Sequence, residues 1–159
     1  MSVLSDQTIK THSIGSRPLI WPWNEEQLQP ASYDLTLGKI GAAIPGVDLI
    51  LEPKAFVLAS THENVTLPSH IVGRIEGKSS LARKGLIVHT AGFVDPGFNG
   101  QLVLEITNLS DEIFILKPGM RIAQIAFQFL DKPASKPYGH PELGSHYQDQ
   151  VGVVESWIK

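Results

Sequence analysis

Short apolar runs broken by proline and glycine recur along almost the whole chain, and this rhythm constrains the fold more than any single motif. Tyr33-Asp34-Leu35-Thr36-Leu37 alternates between Pro30 and Gly38, and comparable runs follow at 48–51, 55–60, 64–67, 71–75, 86–89, 102–107, 113–116 and 121–129. Runs this short do not make amphipathic helices, and their spacing is that of strands in a sandwich or barrel. Pro118-Gly119 fits a type II turn, and Asn99-Gly100 is the strongest local hairpin signal. Helix signals are confined to two places. Residues 5–14 carry an N-cap in Ser5-Asp6-Gln7-Thr8 and a stop at Gly15, and residues 79–84 offer a second, very short helix. Residues 17–30 read as loop, with Trp21 and Trp23 packing on the domain or on a neighbour. The expectation is one mostly-β domain over residues 1–159, in which residues 131–159 form a tail that is disordered or folds over a site as a lid.

Composition narrows the function classes. Apolar residues make up 42% of the chain, which supports a buried core and excludes a mostly disordered protein. A net charge of −3 argues against a protein that coats nucleic acid. The chain has no cysteine, so the paired-Cys motif of zinc deaminases is absent, and the six His include no helical His-x-x-x-His pair. No zinc site is expected. Gly73 stands one residue too close to Gly77-Lys78-Ser79 for a P-loop, and no Gly-x-Ser-x-Gly elbow occurs. There is no leader pattern at the N-terminus and no run approaching the roughly 20 apolar residues of a membrane span, so a cytoplasmic protein without membrane partners is expected.

The residues that carry chemistry lie between Gly77 and Glu105. Lys78-Ser79-Ser80 is a small polar turn whose hydroxyls, ammonium and backbone amides suit a phosphate chain, and Arg83 lies one helical turn beyond. In residues 101–107 a period of two sends Leu102, Leu104 and Ile106 to one face and Gln101, Val103, Glu105 and Thr107 to the other. Glu105 thus projects from the middle of a strand. It either decorates a solvated sheet face or serves as a proton shuttle, with Arg83 as a candidate counter-cation. The 79–83 segment is likewise either an ordinary helix cap with solvated charges or part of a site. With Asp95, these residues describe an anionic small-molecule site whose ligand the residue chemistry leaves unnamed.

As longer segments, the same residues resemble the dCTP deaminase family within the trimeric dUTPase superfamily. The matching stretches are QPASYDLTLG (29–38), VTLP (65–68), GKSSLARKGL (77–86), TAGFVDPGFNGQLVLEITN (90–108) and PGMRIAQI (118–125), with a weaker match at YQDQVGVVES (147–156). The resemblance implies a distorted β-barrel or jelly roll of the dUTPase-like (β-clip) type with one short N-terminal helix, assembled as a homotrimer with sites at subunit interfaces. It implies zinc-independent hydrolytic deamination of dCTP at C4, in the service of pyrimidine deoxynucleotide metabolism. Glu105 would move the protons, Ser79 and backbone near Ala91 would orient water, and Arg83 would hold Glu105 in place. Lys78, Ser79, Ser80, Leu81, Ala82 and Arg83 would line the triphosphate side, with Val103, Leu104 and Gln124 also against the nucleotide. Tyr138, His146 and Gln150 would close over it from the tail. Asp95 would contact the sugar 3′-hydroxyl, and Phe98 would lie against the deoxyribose.

Magnesium would be bound through the triphosphate, largely by water and phosphate oxygens, with dUTP as a second nucleotide partner and dTTP as a candidate inhibitor. Ala91-Gly92-Phe93-Val94-Asp95 resembles the bifunctional members, which turn dCTP into dUMP and diphosphate, more than deaminase-only members with His-Arg before Ile-Asp. There Asp95 would help place the water that attacks the α-phosphorus. Two departures stand out: Lys78 occupies a position where Arg is frequent, and His146 one where Lys is usual. Two other readings stay open at this level. A plain dUTP diphosphatase needs Asp95 but has no use for a proton shuttle at position 105, and a non-catalytic trimeric nucleotide-binding module needs neither.

Overall fold

The computed structural model describes residues 2–41, 46–89 and 91–158. One helix, α1 (Asp6–His12), precedes the strands β1 (Ile20–Trp21), β2 (Leu28–Gln29), β3 (Ser32–Ile40), β4 (Leu49–Leu51), β5 (Phe56–Thr66) and β6 (Ile71–Gly77). A four-residue helix, α2 (Ser79–Ala82), leads to β7 (Leu86–His89), β8 (Phe93–Val94), β9 (Asn99–Asn108), β10 (Phe114–Leu116) and β11 (Arg121–Phe129). The main sheet runs β7-β9-β5-β3-β11-β6-β8, with β1 beside β5 and β2 beside β3, while β4 and β10 pair separately. All named pairings are antiparallel. The sheet curls until β7, at one edge, returns against β6 near the other: a Cβ placed on Gly77 would lie 4.0 Å from Cβ of Val88. No described helix is long and apolar enough to cross a membrane.

The alternation of β9 sets the core. Gly100, Leu102, Leu104, Ile106 and Asn108 are buried, while Asn99, Gln101, Val103, Glu105 and Thr107 on the opposite face are only partly so. Leu102, Leu104 and Ile106 join Leu35 and Leu37 of β3 and Ile122, Ile125 and Phe127 of β11 in one apolar cluster. The strand bounds at 86–89 and 121–129 agree with the sequence pattern, as does the Pro118-Gly119 turn. Gly119 has φ +79° there, and the Met120 N–H donates to Lys117 O at 3.0 Å.

Elsewhere tertiary structure overrides the local signal. Residues 55–60 and 64–67, which read as two strands, are one strand interrupted by a bulge, because Ser60 pairs with Val103 but Asn64 already pairs with Gln101. Buried Glu63 stitches the bulge: its carboxylate accepts from Thr36 N at 2.9 Å, Thr36 Oγ1 at 2.7 Å and Gln27 Nε2 at 2.8 Å. Asn99-Gly100 makes no hairpin turn and instead opens β9, paired to Thr66 and Val65. Gly100 (φ +143°) admits the tail, since a Cβ there would stand 2.9 Å from Gln150 O. The 17–30 segment is not wholly loop, for it supplies β1, β2 and a short 3₁₀ turn at Glu25–Gln27. Trp23 packs on Tyr33 with ring centroids 4.9 Å apart, whereas Trp21 stays 63% exposed.

Tyr33 is fully buried, and burial pushes its hydroxyl from 10.0 up to about 12, against the opposing pull of the Asn24 N–H that donates to it at 2.8 Å. The folded state therefore holds this proton more tightly than the unfolded chain. Its contribution is complete below pH 10 and declines as pH rises toward 12, by about 2–3 kcal/mol in all. Urea unfolding across this range should show that decline, and Tyr33→Phe should flatten it.

Candidate active site

The 95–105 segment delivers its side chains to one concavity. Phe98 N–H donates to Asp95 O at 3.1 Å, and the turn is clamped by Gly97 N–H to Leu67 O at 3.0 Å and Leu67 N–H to Phe98 O at 2.8 Å. The chain then enters β9, whose partly buried face turns Val103 and Glu105 toward a cavity of about 550 Å³. Asp95, Phe98, Val103, Glu105, Tyr138 and Gln150 all line it. Six residues singled out in the sequence are thus gathered by the fold. Ala91 lines the same cavity.

The tail forms part of the wall. Gln101 N–H donates to Gln150 O at 3.0 Å, and Gln150 Nε2 donates back to Gln101 O at 2.7 Å. Asp149 N–H donates to Asn99 O at 2.8 Å, and Gly152 N–H to Gln101 Oε1 at 2.6 Å. Tyr138 packs on Phe98 with centroids 5.8 Å apart, and its hydroxyl accepts from Tyr147 N–H at 3.0 Å. Gln150 Oε1 is buried without a hydrogen-bond partner among the described residues, an acceptor available to a ligand.

Other sequence candidates lie elsewhere. None of Lys78, Ser79, Ser80, Leu81, Ala82 or Arg83 lines this cavity. Ser79, Ser80, Ala82 and Arg83 are exposed, and Lys78 donates to Asp34 Oδ1 at 2.5 Å. Gln124 sits opposite Asp34 in the β11–β3 pairing, its Oε1 accepting from Ser32 Oγ at 3.1 Å. His146 stacks on Trp157 at 4.0 Å, and Leu104 is fully buried in the core, so only its backbone can face a ligand. The sequence reading missed Phe56, Leu58 and Phe93 in the cavity wall. Phe56 and Leu58 pair with Thr107 and Glu105. Their place follows from strand register, for which the local pattern holds no sign.

Tyrosines aside, the ionisable groups of the lining among the described residues are Asp95, Glu105 and Glu155, all acids. No group of three or more His, Asp or Glu among the described residues could cage a metal ion.

A family model described as "dCTP deaminase-like" matches residues 41–130, more than half of the 159. The chain is 41% identical to a protein of Methanosphaera stadtmanae named "dCTP deaminase, dUMP-forming", covering 100% of this chain and 95% of that one. It is also 41% identical to a Thermobifida fusca protein of the same name, covering 97% and 91%. Among solved structures, it resembles 2′-deoxycytidine 5′-triphosphate deaminase from Agrobacterium tumefaciens (TM-score 0.68, 22% identity, 80% of this chain). This chain spans about half, 48%, of that longer one. It also resembles native EIAV dUTPase (TM-score 0.54, 22% identity, 77% of this chain and 92% of that one). The two structures speak for a dUTPase-like fold; the family model and the full-length relatives go further, and by them the chain belongs to the dCTP deaminase family.

Proposed function

We propose that the chain deaminates dCTP hydrolytically, without zinc, and carries the resulting dUTP on to dUMP and diphosphate within pyrimidine deoxynucleotide metabolism. The observation that carries this reading is Glu105, a carboxylate projecting from mid-strand into a cavity shared with Asp95 and Phe98. Glu105 takes a proton from the water that adds to C4 of the cytosine ring. It passes that proton to the ring nitrogen, then takes the proton of the new C4 hydroxyl and gives it to the amino group, which leaves as ammonia as the C4 carbonyl forms and the C–N bond breaks. Ser79 and the backbone near Ala91 orient the water, and Arg83 steadies the carboxylate. Phe98 offers its ring to the deoxyribose, and Asp95 meets the 3′-hydroxyl. The tail acts as the lid, with Tyr138 and Gln150 in the wall.

The acids found in the described lining support a homotrimer with shared sites. A triphosphate would be repelled by Asp95, Glu105 and Glu155, and the cations of the 78–83 turn, Arg83 foremost, are outside this cavity. A second copy that brings its own 78–83 turn to the mouth supplies them, along with Ser79. Magnesium fits the donor set as a companion of the triphosphate. The chain gathers no cage of its own among the described residues, and this hard cation is commonly held by phosphate oxygens and water.

The test is to incubate the protein with dCTP and magnesium, resolve dCTP, dUTP and dUMP by chromatography, and run dUTP as a parallel substrate. Conversion of dCTP to dUMP is expected. A protein that hydrolyses dUTP but leaves dCTP intact is a plain dUTP diphosphatase, and one that binds without turnover is a nucleotide-binding module.

Asp95→Asn should separate the two steps. Its amide keeps a hydrogen bond to the sugar but cannot help activate the water at the α-phosphorus, so dUMP formation should fall by about 10²–10³-fold while ammonia release continues. The product then shifts to dUTP. Undiminished dUMP would remove Asp95 from that role.

A further inference from the structure

Asp34 is a buried carboxylate paired with Lys78. It lies in β3 with its side chain 2% exposed, directly opposite Gln124 of β11. Lys78 Nζ donates to Oδ1 at 2.5 Å, Arg121 Nη1 stands 3.7 Å from Oδ2, and Gln29 Nε2 reaches the same oxygen at 3.5 Å. A buried carboxylate needs such partners, and in meeting that need it commits Lys78 inward. Lys78 also begins the turn of α2, because its carbonyl accepts from Leu81 N–H at 3.0 Å and Ala82 N–H at 2.9 Å. One ion pair therefore pins to the sheet the turn that presents Ser79, Ser80 and Arg83.

We propose that Asp34 is a positioning residue for the triphosphate: through Lys78 it fixes the 78–83 turn, and Lys78 acts as a strut more than as a phosphate ligand. This rests on the function proposed above. It makes a prediction about sign. By charge alone, removing a carboxylate near an anion site tightens anion binding; removing a strut loosens it.

Steady-state kinetics with dCTP and magnesium on wild type, Asp34→Asn, Lys78→Met and the double variant decide between them. Asp34→Asn should raise KM by about tenfold, the scale of a lost charge-assisted hydrogen bond, and lower kcat as well, because the turn it fixes also carries Ser79 and Arg83. The double variant should be no worse than the poorer single, since both cut the same strut. A KM for Asp34→Asn that is unchanged or lower overturns the proposal, as do single effects that multiply in the double variant. Should Asp34→Asn fail to fold, thermal unfolding of Lys78→Met serves instead. Stranding Asp34 should lower its midpoint, and a midpoint equal to that of wild type overturns the strut. Wild-type protein that leaves dCTP unconsumed removes the functional reading and this role with it, a result distinct from an active wild type with an unmoved KM in Asp34→Asn.

Discussion

Glu105→Gln is expected to reduce ammonia release from dCTP by about 10⁴-fold, the upper range for loss of a general acid–base group. The substitution is nearly isosteric, so the β9 backbone and its pairing with β5 should persist, and the amide can still hydrogen-bond to a cytosine ring. What it cannot do is take a proton from water and return it to nitrogen. Binding of dCTP, measured by calorimetry, should therefore change by less than about tenfold while turnover collapses, the pattern of an interaction made chiefly in the transition state. The partly buried face of β9 carries the carboxylate into the cavity beside Val103, and its register partners are Leu58 on β5 and His89 on β7. Deamination retained in the glutamine variant would show that another group moves the protons.

How much of this could be read from the sequence depends on the range of each signal. The period of two in β9 is local and unambiguous, and it correctly separates Leu102, Leu104 and Ile106 from Val103 and Glu105. The same local logic fails at Asn99-Gly100. Among the described residues, six backbone and side-chain hydrogen bonds between the tail and Asn99 or Gln101 hold that dipeptide extended, and no local pattern records a partner fifty residues away. It fails again at the β5 bulge, where Glu63, Thr36 and Gln27 come together from three segments and the interruption resembles a loop. The cavity wall shows the same limit. Phe98 and Glu105 announce themselves by motif, while Phe56 enters only because it pairs with Thr107.

A mixture of Glu105→Gln and Arg83→Ala chains, co-assembled by denaturation and refolding or by co-expression, is expected to regain activity that neither variant shows alone. Glu105 opens into a cavity whose charged groups, among the described residues, are acids, and the 78–83 turn of the same chain stays outside it. If a site combines Glu105 of one subunit with Arg83 of its neighbour around a cyclic trimer, it works whenever an Arg83→Ala chain is followed by a Glu105→Gln chain. Random assortment of equal amounts then makes about one quarter of all sites fully wild type. Product formation should rise from background to roughly that fraction of the native rate, and it should depend on the mixing ratio with a maximum at equality. A site contained in one chain makes the opposite forecast: every chain in the mixture carries a defect, so no combination restores turnover.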